Sequence, residues 1–317
     1  MKTGPEQLKT QRIVSTVNSE LPPVSASRNL SDLWNRFRSN KTAFFALAGF
    51  TGGFFGDLLT EPFAVNDRTA RDFSAILLRT GFWVAGMVGM LSPALALAGA
   101  HYNRRQLSAR VAVKMATLGS VGGAVSGVSI QCLYTAGFMM GLEPKTATAE
   151  LFRCAAWGLM GGMVGGLLAR TVPNLKWWRA VSAGLVGGAV GCAGFLAVCA
   201  ILPDVFGRLL GVSVMGLAIG LSIVVAEKLA REASVEVIWA PNEITTANLG
   251  ERPVFIGGGR EDDVFVRAFP ARHAAITLKQ GRVEYLEAAS GRQATLKNGS
   301  RLEIGKVTLV IHTDVKG

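Results

Sequence analysis

The chain has 317 residues, half of them hydrophobic and only 17% charged, with a formal net charge of +11. Apolar residues gathered into long runs at so low a charge density describe a membrane protein. The basic excess is spread over the flanks of those runs and forms no single patch, which argues against DNA or RNA as a partner.

The segment ahead of Thr42 is polar, rich in Ser, Thr and Pro, and lacks the apolar core of a cleaved signal peptide. Residues 1–40 are therefore expected to be a disordered N-terminus carrying one short interfacial helix. In that helix Leu30, Leu33, Trp34 and Phe37 fall on one face, with Arg36 and Arg38 beside them.

Six apolar runs follow, each near the ~20 residues that a ~30 Å hydrocarbon core requires. They are Thr42–Thr60, Thr80–Ala100, Met115–Tyr134, Leu151–Arg170, Ala180–Leu202 and Gly207–Ala226, within a membrane domain at 41–230. All four cysteines (Cys132, Cys154, Cys192 and Cys199) lie inside these runs without a CxxC pair, so neither disulfide nor metal site is expected.

Charge alternates between the connecting segments. One set carries Arg36, Arg38 and Lys41, then Arg104, Arg105, Arg110 and Lys114, then Arg170, Lys176 and Arg179, then Lys228 and Arg231. The other set carries acids among fewer bases: Glu61, Asp67 and Asp72, then Glu143 and Glu150, then Asp204. The positive-inside bias places the first set, and both termini, in the cytoplasm of a protein integral to the bacterial inner membrane.

The spans read as three copies of a helical hairpin. Odd spans carry paired glycines at Gly52-Gly53, Gly122-Gly123 and Gly187-Gly188, and even spans begin near Arg79, Arg153 and Arg208. Gly161-x-x-x-Gly165 and Gly216-x-x-x-Gly220 are small-xxx-small spacings, which let helix backbones approach closely inside a bundle or in a homo-oligomer. Ionisable residues inside the spans are scarce. Asp57 and Arg79 share a predicted depth and are a candidate intramembrane pair. With no charge near the midplane and Pro93 the one proline well inside a span, an ion-coupled transporter is disfavoured. A conduit gated by dewetting needs no charges and stays open as the alternative.

After Glu232 the hydrophobic period changes from helical to alternating, and residues 234–317 form a separate module. Short β-branched runs at Val254–Ile256, Val264–Val266, Ala275–Leu278, Val283–Leu286 and Val307–Ile311 alternate with Gly-rich turns, the pattern of an all-β sandwich. Asn298-Gly299 suits a tight hairpin turn.

Within this module, Val254-Phe255-Ile256-Gly257-Gly258-Gly259-Arg260, Asp263-Val264-Phe265-Val266 and Arg272-His273-Ala274-Ala275-Ile276 follow in order. Together with Leu296-Lys297-Asn298-Gly299-Ser300-Arg301-Leu302-Glu303-Ile304-Gly305 they resemble a forkhead-associated (FHA) domain over residues 234–315. The resemblance implies a module that binds peptides through its loops, with phosphothreonine as the family's usual ligand. The phosphate-contacting positions depart from the family pattern: Gly258 stands for the Arg, Pro270 for the Ser and Gly291 about where the Asn belongs. His273 matches the position that mainly braces the loops. Arg260, Arg272 and His273 remain as candidate peptide-binding residues, with Arg260, Arg267 and Arg272 supplying loop cations.

The triple glycine opens no helix, so it is not read as a nucleotide loop. No paired carboxylates, Cys/His cluster or nucleophile with a base is present, so no enzyme, cofactor or metal is expected. These readings combine into a membrane-anchored scaffold or regulator that shows a degenerate FHA-like module to a cytosolic protein. The alternative is a conduit of Gly-rich hairpins gated by that module.

Overall fold

A computed structural model describes residues 37, 39–63, 72–105, 107–143, 146–202, 204–241 and 243–313. The interfacial helix expected around Leu30, Leu33 and Trp34 lies outside them. Six helices come first: α1 (Lys41–Thr60, continued by a 3-10 turn at Glu61–Phe63), α2 (Phe73–Tyr102), α3 (Ala109–Met139), α4 (Ala147–Leu168), α5 (Trp177–Ile201) and α6 (Asp204–Leu229). All six are long and apolar enough to cross a membrane, which marks an integral membrane protein.

Local chemistry sets the helix starts. Asn40, Asp72, Ser108 and Thr146 each accept a hydrogen bond from the backbone N–H three residues on, satisfying a donor that the first turn leaves free. The helices consequently outrun the apolar runs: α2 begins at Phe73, not Thr80, and α3 at Ala109, not Met115. The hydrocarbon core sets the length of the apolar run, whereas the cap sets the length of the helix. Arg79 and Lys114 therefore sit within helices.

Each helix packs on the next in the chain, and α6 returns to pack on α1, so the bundle is a closed ring. The even helices also touch across the centre, α4 meeting both α2 and α6. Burial follows this division. The apolar windows of α2, α4 and α6 are 61%, 56% and 50% buried, against 33%, 28% and 33% for α1, α3 and α5. The interior is filled mainly by Val84, Met87, Leu91 and Leu95 from α2, Met160 and Leu168 from α4, and Met215, Ile219 and Ile223 from α6. Leu47, Phe55, Leu78, Val121, Val186 and Val190 stay exposed, as lipid contact requires.

Three residues, Ala230–Glu232, separate α6 from the β region. Its strands are β1 (Ala233–Ala240), β2 (Glu243–Leu249), β3 (Val254–Gly257), β4 (Val264–Phe265), β5 (Ala274–Lys279), β6 (Arg282–Glu287), β7 (Gln293–Leu296), β8 (Arg301–Ile304) and β9 (Val307–Thr313). They make a four-stranded sheet of order β2-β1-β9-β8 and a five-stranded sheet of order β4-β3-β5-β6-β7. All pairs are antiparallel except β3 with β4. Val235, Val237, Leu309 and Ile311 of the first sheet and Val254, Ile256, Ile276 and Val283 of the second share one buried cluster.

Two turns show how geometry selects residues. Gln280-Gly281 joins β5 to β6 with φ of 49° and 74°, the pair of positive values that a two-residue hairpin of this hand needs. Asn298-Gly299 was expected to close a hairpin too, but β7 pairs with β6 and β8 with β9. The turn instead carries the chain from one sheet to the other. Gly299 still takes a φ of 76°, and Asn298 Oδ1 accepts the Thr313 N–H at 3.1 Å, tying the crossing to β9. A turn signal reports local backbone shape and says nothing about which strands the turn connects.

Candidate functional site

Three constructions stand out: glycine contacts inside the bundle, a locked junction between bundle and β region, and a pinned pair of loops above it. The glycines come first because they fix the ring. In each odd helix the first of the paired glycines faces the following even helix, and the second faces the preceding one around the ring. Gly52 lies on Leu91 and Ala94 of α2 while Gly53 lies on Val212 and Ser213 of α6. Gly122 lies on Met163 of α4 and Gly123 on Val84 and Ala85 of α2, and Gly187 lies on Ile219 of α6 and Gly188 on Trp157 and Gly158 of α4.

A third glycine, three residues before each pair, completes a G-x-x-G-G motif in all three odd helices. Gly49 abuts Gly216, Gly119 abuts Val88 and Ser92, and Gly184 abuts Gly161. The paired glycines are plain in the sequence, and the third is marked there only by its constant spacing from each pair. The expected packing residues are placed in these seams. Gly161 and Gly165 of α4 face Gly184, Gly188 and Ala180 of α5, and Gly216 and Gly220 of α6 face Gly49 and Phe45 of α1. At each, a Cβ would meet backbone on the neighbouring helix, which local adjustment cannot move.

Asp57 and Arg79 are placed less simply. Asp57 is fully buried and accepts the indole N–H of Trp83 at 2.8 Å, one turn beyond Arg79 on α2. Arg79 is half-buried, and no ion pair joins it to Asp57 among the described residues. Nearby, Glu61 instead takes the guanidinium of Arg208 in a two-pronged pair between the α1 end and α6.

At the opposite, basic end the β region is fastened to the bundle. The α2 terminus has Arg104 in the left-handed region at φ 55°, with Arg104 N–H bonded to His101 O and Arg105 N–H to Ala100 O at 2.7 Å. This six-to-one closure ordinarily places Gly at the left-handed position. An arginine there costs about 1–2 kcal/mol of backbone strain. Its side chain supplies the compensation: the guanidinium pairs through two nitrogens with Glu243 at the start of β2 and lies 4.4 Å from the Trp239 ring.

A second left-handed residue, Asn174 in the α4–α5 loop (φ 55°), makes the matching attachment. Its Nδ2 donates to Asn248 O at 3.0 Å and Arg252 O at 3.1 Å, and its Oδ1 accepts the Arg252 N–H at 3.2 Å. Tyr102 Oη accepts the Thr246 N–H at 3.0 Å, and Arg231 donates to Asn248 Oδ1 at 2.9 Å. These contacts converge on β2, the free edge of the four-stranded sheet. An uncovered edge invites pairing with foreign strands, so the bundle here closes it. The same cover explains why β2, with Glu243, two threonines and Asn248, carries too little apolar alternation to be read as a strand.

Replacing Arg104 with alanine is expected to speed amide exchange in β2 by about thirtyfold, as loss of about 2 kcal/mol of charge-assisted bonding implies. Arg104→Gly should lose about 1 kcal/mol less, because it also relieves the left-handed strain. Exchange at the wild-type rate in Arg104→Ala would show that the arginine does not hold the junction.

The loops that carry Arg260, Arg272 and His273 are joined by Asp262, which belongs to no motif of the sequence. Asp262 is 1% exposed, and its carboxylate accepts from the backbone N–H of Gly259 at 2.7 Å and of Arg272 at 3.0 Å. Gly258 N–H donates to Pro270 O at 3.0 Å, and a Cβ at Gly257, Gly258 or Gly259 would strike the facing loop or the Asp262 carboxylate. Close approach of two backbones, more than turn geometry, thus accounts for the triple glycine.

Arg272 is left-handed at φ 53°, with its exposed guanidinium 5.0 Å from the Phe255 ring and 3.9 Å from Glu261. Arg260 is exposed on the adjoining loop. His273 stacks on Phe269 at 4.4 Å, stands 3.7 Å from Glu287, and its carbonyl accepts the Ala288 N–H at 2.9 Å. These contacts tie the Phe269 loop to the residues that end β6 and follow it. Asp262 is hidden in the charge run Glu261-Asp262-Asp263, where Asp263 is buried as well; burial of acids in such a run is invisible to composition.

No group of His, Cys, Asp and Glu among the described residues is arranged to hold a metal ion. Comparison of the chain with protein-family models, with curated proteins and with solved structures finds no match.

Proposed function

We propose that the chain is a membrane-anchored scaffold or regulatory protein whose FHA-like module faces the cytosol and binds a protein partner without standard phosphothreonine recognition. The observation that carries this reading is the buried Asp262 carboxylate. A phosphate on a peptide needs an Arg fork and free backbone or hydroxyl donors. In these loops the Gly259 and Arg272 N–H groups already serve an internal anion, and Gly258 has no space for a side chain. The exposed Arg260 and Arg272 remain available for an acidic segment of a partner.

Orientation rests on charge. Lys41, Arg104, Arg105, Arg179 and Lys228 share the bundle end that bears the β region, and the positive-inside bias assigns that end to the cytosol of a bacterial inner membrane. The equivalent G-x-x-G-G contacts support reading the bundle as three hairpin repeats around a pseudo-threefold axis. The packed interior formed by the even helices favours an anchor over a conduit.

The test uses the full chain in nanodiscs as bait, with lysate treated or untreated with phosphatase. A discrete partner retained after phosphatase, and lost in Arg260→Glu/Arg272→Glu, is the expected result. Loss on dephosphorylation would assign phosphothreonine recognition instead. Solute flux through reconstituted protein with no retained partner would assign the conduit.

A further inference from the structure

Between the end of α2 and the β region lies a cleft of about 710 Å³, within the size range of small-molecule sites. Its charged lining comprises Arg104, Arg105, Arg267 and Lys306, and Trp239 and Phe269 contribute aromatic walls. Two of the four cations are offset internally: Arg104 pairs with Glu243, and Arg105 lies 3.6 Å from the buried Asp263. Arg267 and Lys306 are exposed and have no ion-pair partner among the described residues. The cleft thus presents two uncompensated cations beside apolar surface.

Its depth narrows the ligand. Arg104 and Arg105 directly follow the last turn of α2, and the exposed Trp177 and Trp178 open α5 at the same end of the bundle. Tryptophans at helix ends mark the headgroup level of a bilayer. Cations at that level attract anionic headgroups. A soluble nucleic acid or a long acidic peptide would not use the aromatic walls of so small a cleft.

We propose that this cleft is a binding site for a phosphate group carried on a small organic body, supplied by an anionic phospholipid headgroup or by a soluble phosphomonoester. The phosphate sits between Arg267 and Lys306, with the glycerol portion against Trp239 and Phe269. Because Phe269 also stacks on His273, occupancy bears directly on the brace of the Arg260 and Arg272 loops. The site does not rest on the identity of any protein partner.

The test measures thermal unfolding and affinity of the full chain in neutral detergent during titration with phosphatidylglycerol, phosphatidylcholine or glycerol 3-phosphate. Wild-type protein should be stabilised by phosphatidylglycerol over phosphatidylcholine. Arg267→Ala/Lys306→Ala should bind it about thirtyfold more weakly, at about fivefold for each exposed cation–phosphate pair lost. Both side chains are exposed, so the double variant should keep the wild-type circular dichroism spectrum. Stabilisation by glycerol 3-phosphate with the same dependence on the two residues would identify the soluble source of the same chemistry. Equal responses to the two lipids with none to glycerol 3-phosphate, or a double variant that binds like wild type, would overturn the proposal.

Discussion

Lys41→Met is expected to lower the stability of the bundle by about 3–5 kcal/mol, the cost of removing one member of a buried ion pair. Lys41 begins α1 and reaches Glu227, near the end of α6, with Nζ 2.5 Å from Oε1. The side chains are 10% and 2% exposed, so water cannot take over from either partner. The ammonium also lies 5.1 Å from the Tyr102 ring of α2, so one cation joins three helices where the ring closes. Removing it leaves the Glu227 carboxylate buried without its cation, and that loss outweighs the extra apolar area of methionine, worth about 1–2 kcal/mol. The double variant Lys41→Met/Glu227→Met should recover most of the loss, because no charge is then stranded. Thermal unfolding of the four proteins of this cycle in detergent measures the coupling. A single variant as stable as wild type would mean that the pair does not close the ring.

The second large effect is at Gly161. Leucine there has to displace the Gly184 carbonyl and the Gly188 backbone, which lie within contact of a Cβ on Gly161. Helix propensity alone would favour the change by about 0.8 kcal/mol. Overpacking against a rigid backbone costs about 3 kcal/mol, so sterics decide the sign. The expected outcome is separation of α4 from α5, seen as a lower unfolding temperature and a broadened size-exclusion peak. Val186→Leu on the lipid-facing side of α5, where Val186 is 60% exposed, should stay within about 0.5 kcal/mol of wild type. Equal behaviour of the two variants would remove the close-contact argument for the whole G-x-x-G-G series.

Much of the architecture is legible in the sequence. The six spans and most of the later strands follow from hydrophobic period, a local property that one segment displays by itself. Paired glycines announced close packing, and acidic and basic loops alternated visibly. The candidate site was legible only in part. Arg260, Arg272 and His273 stand out by their order along the chain, but the residue that joins their loops, Asp262, is set apart from its acidic neighbours only by its hydrogen bonds to Gly259 and Arg272. Asn298-Gly299 read as a hairpin because its backbone shape is that of a tight turn, although it links two sheets. Neither Arg104 nor Asn174 is marked as left-handed in the sequence: asparagine only favours that region statistically and arginine does not, so tertiary contacts set the conformation at both.

By itself the sequence determined where the chain meets lipid and where it meets water, because solvent preference is carried residue by residue. It also determined which helix faces could come close, because only a missing side chain permits that approach. Tertiary structure alone decided the partners: Gly49 with Gly216, Lys41 with Glu227, Arg104 with Glu243, Asn174 with Asn248. Each of these joins segments well over fifty residues apart. Such a contact exists only when both segments are already held by the helices and strands around them, so no local pattern can announce it.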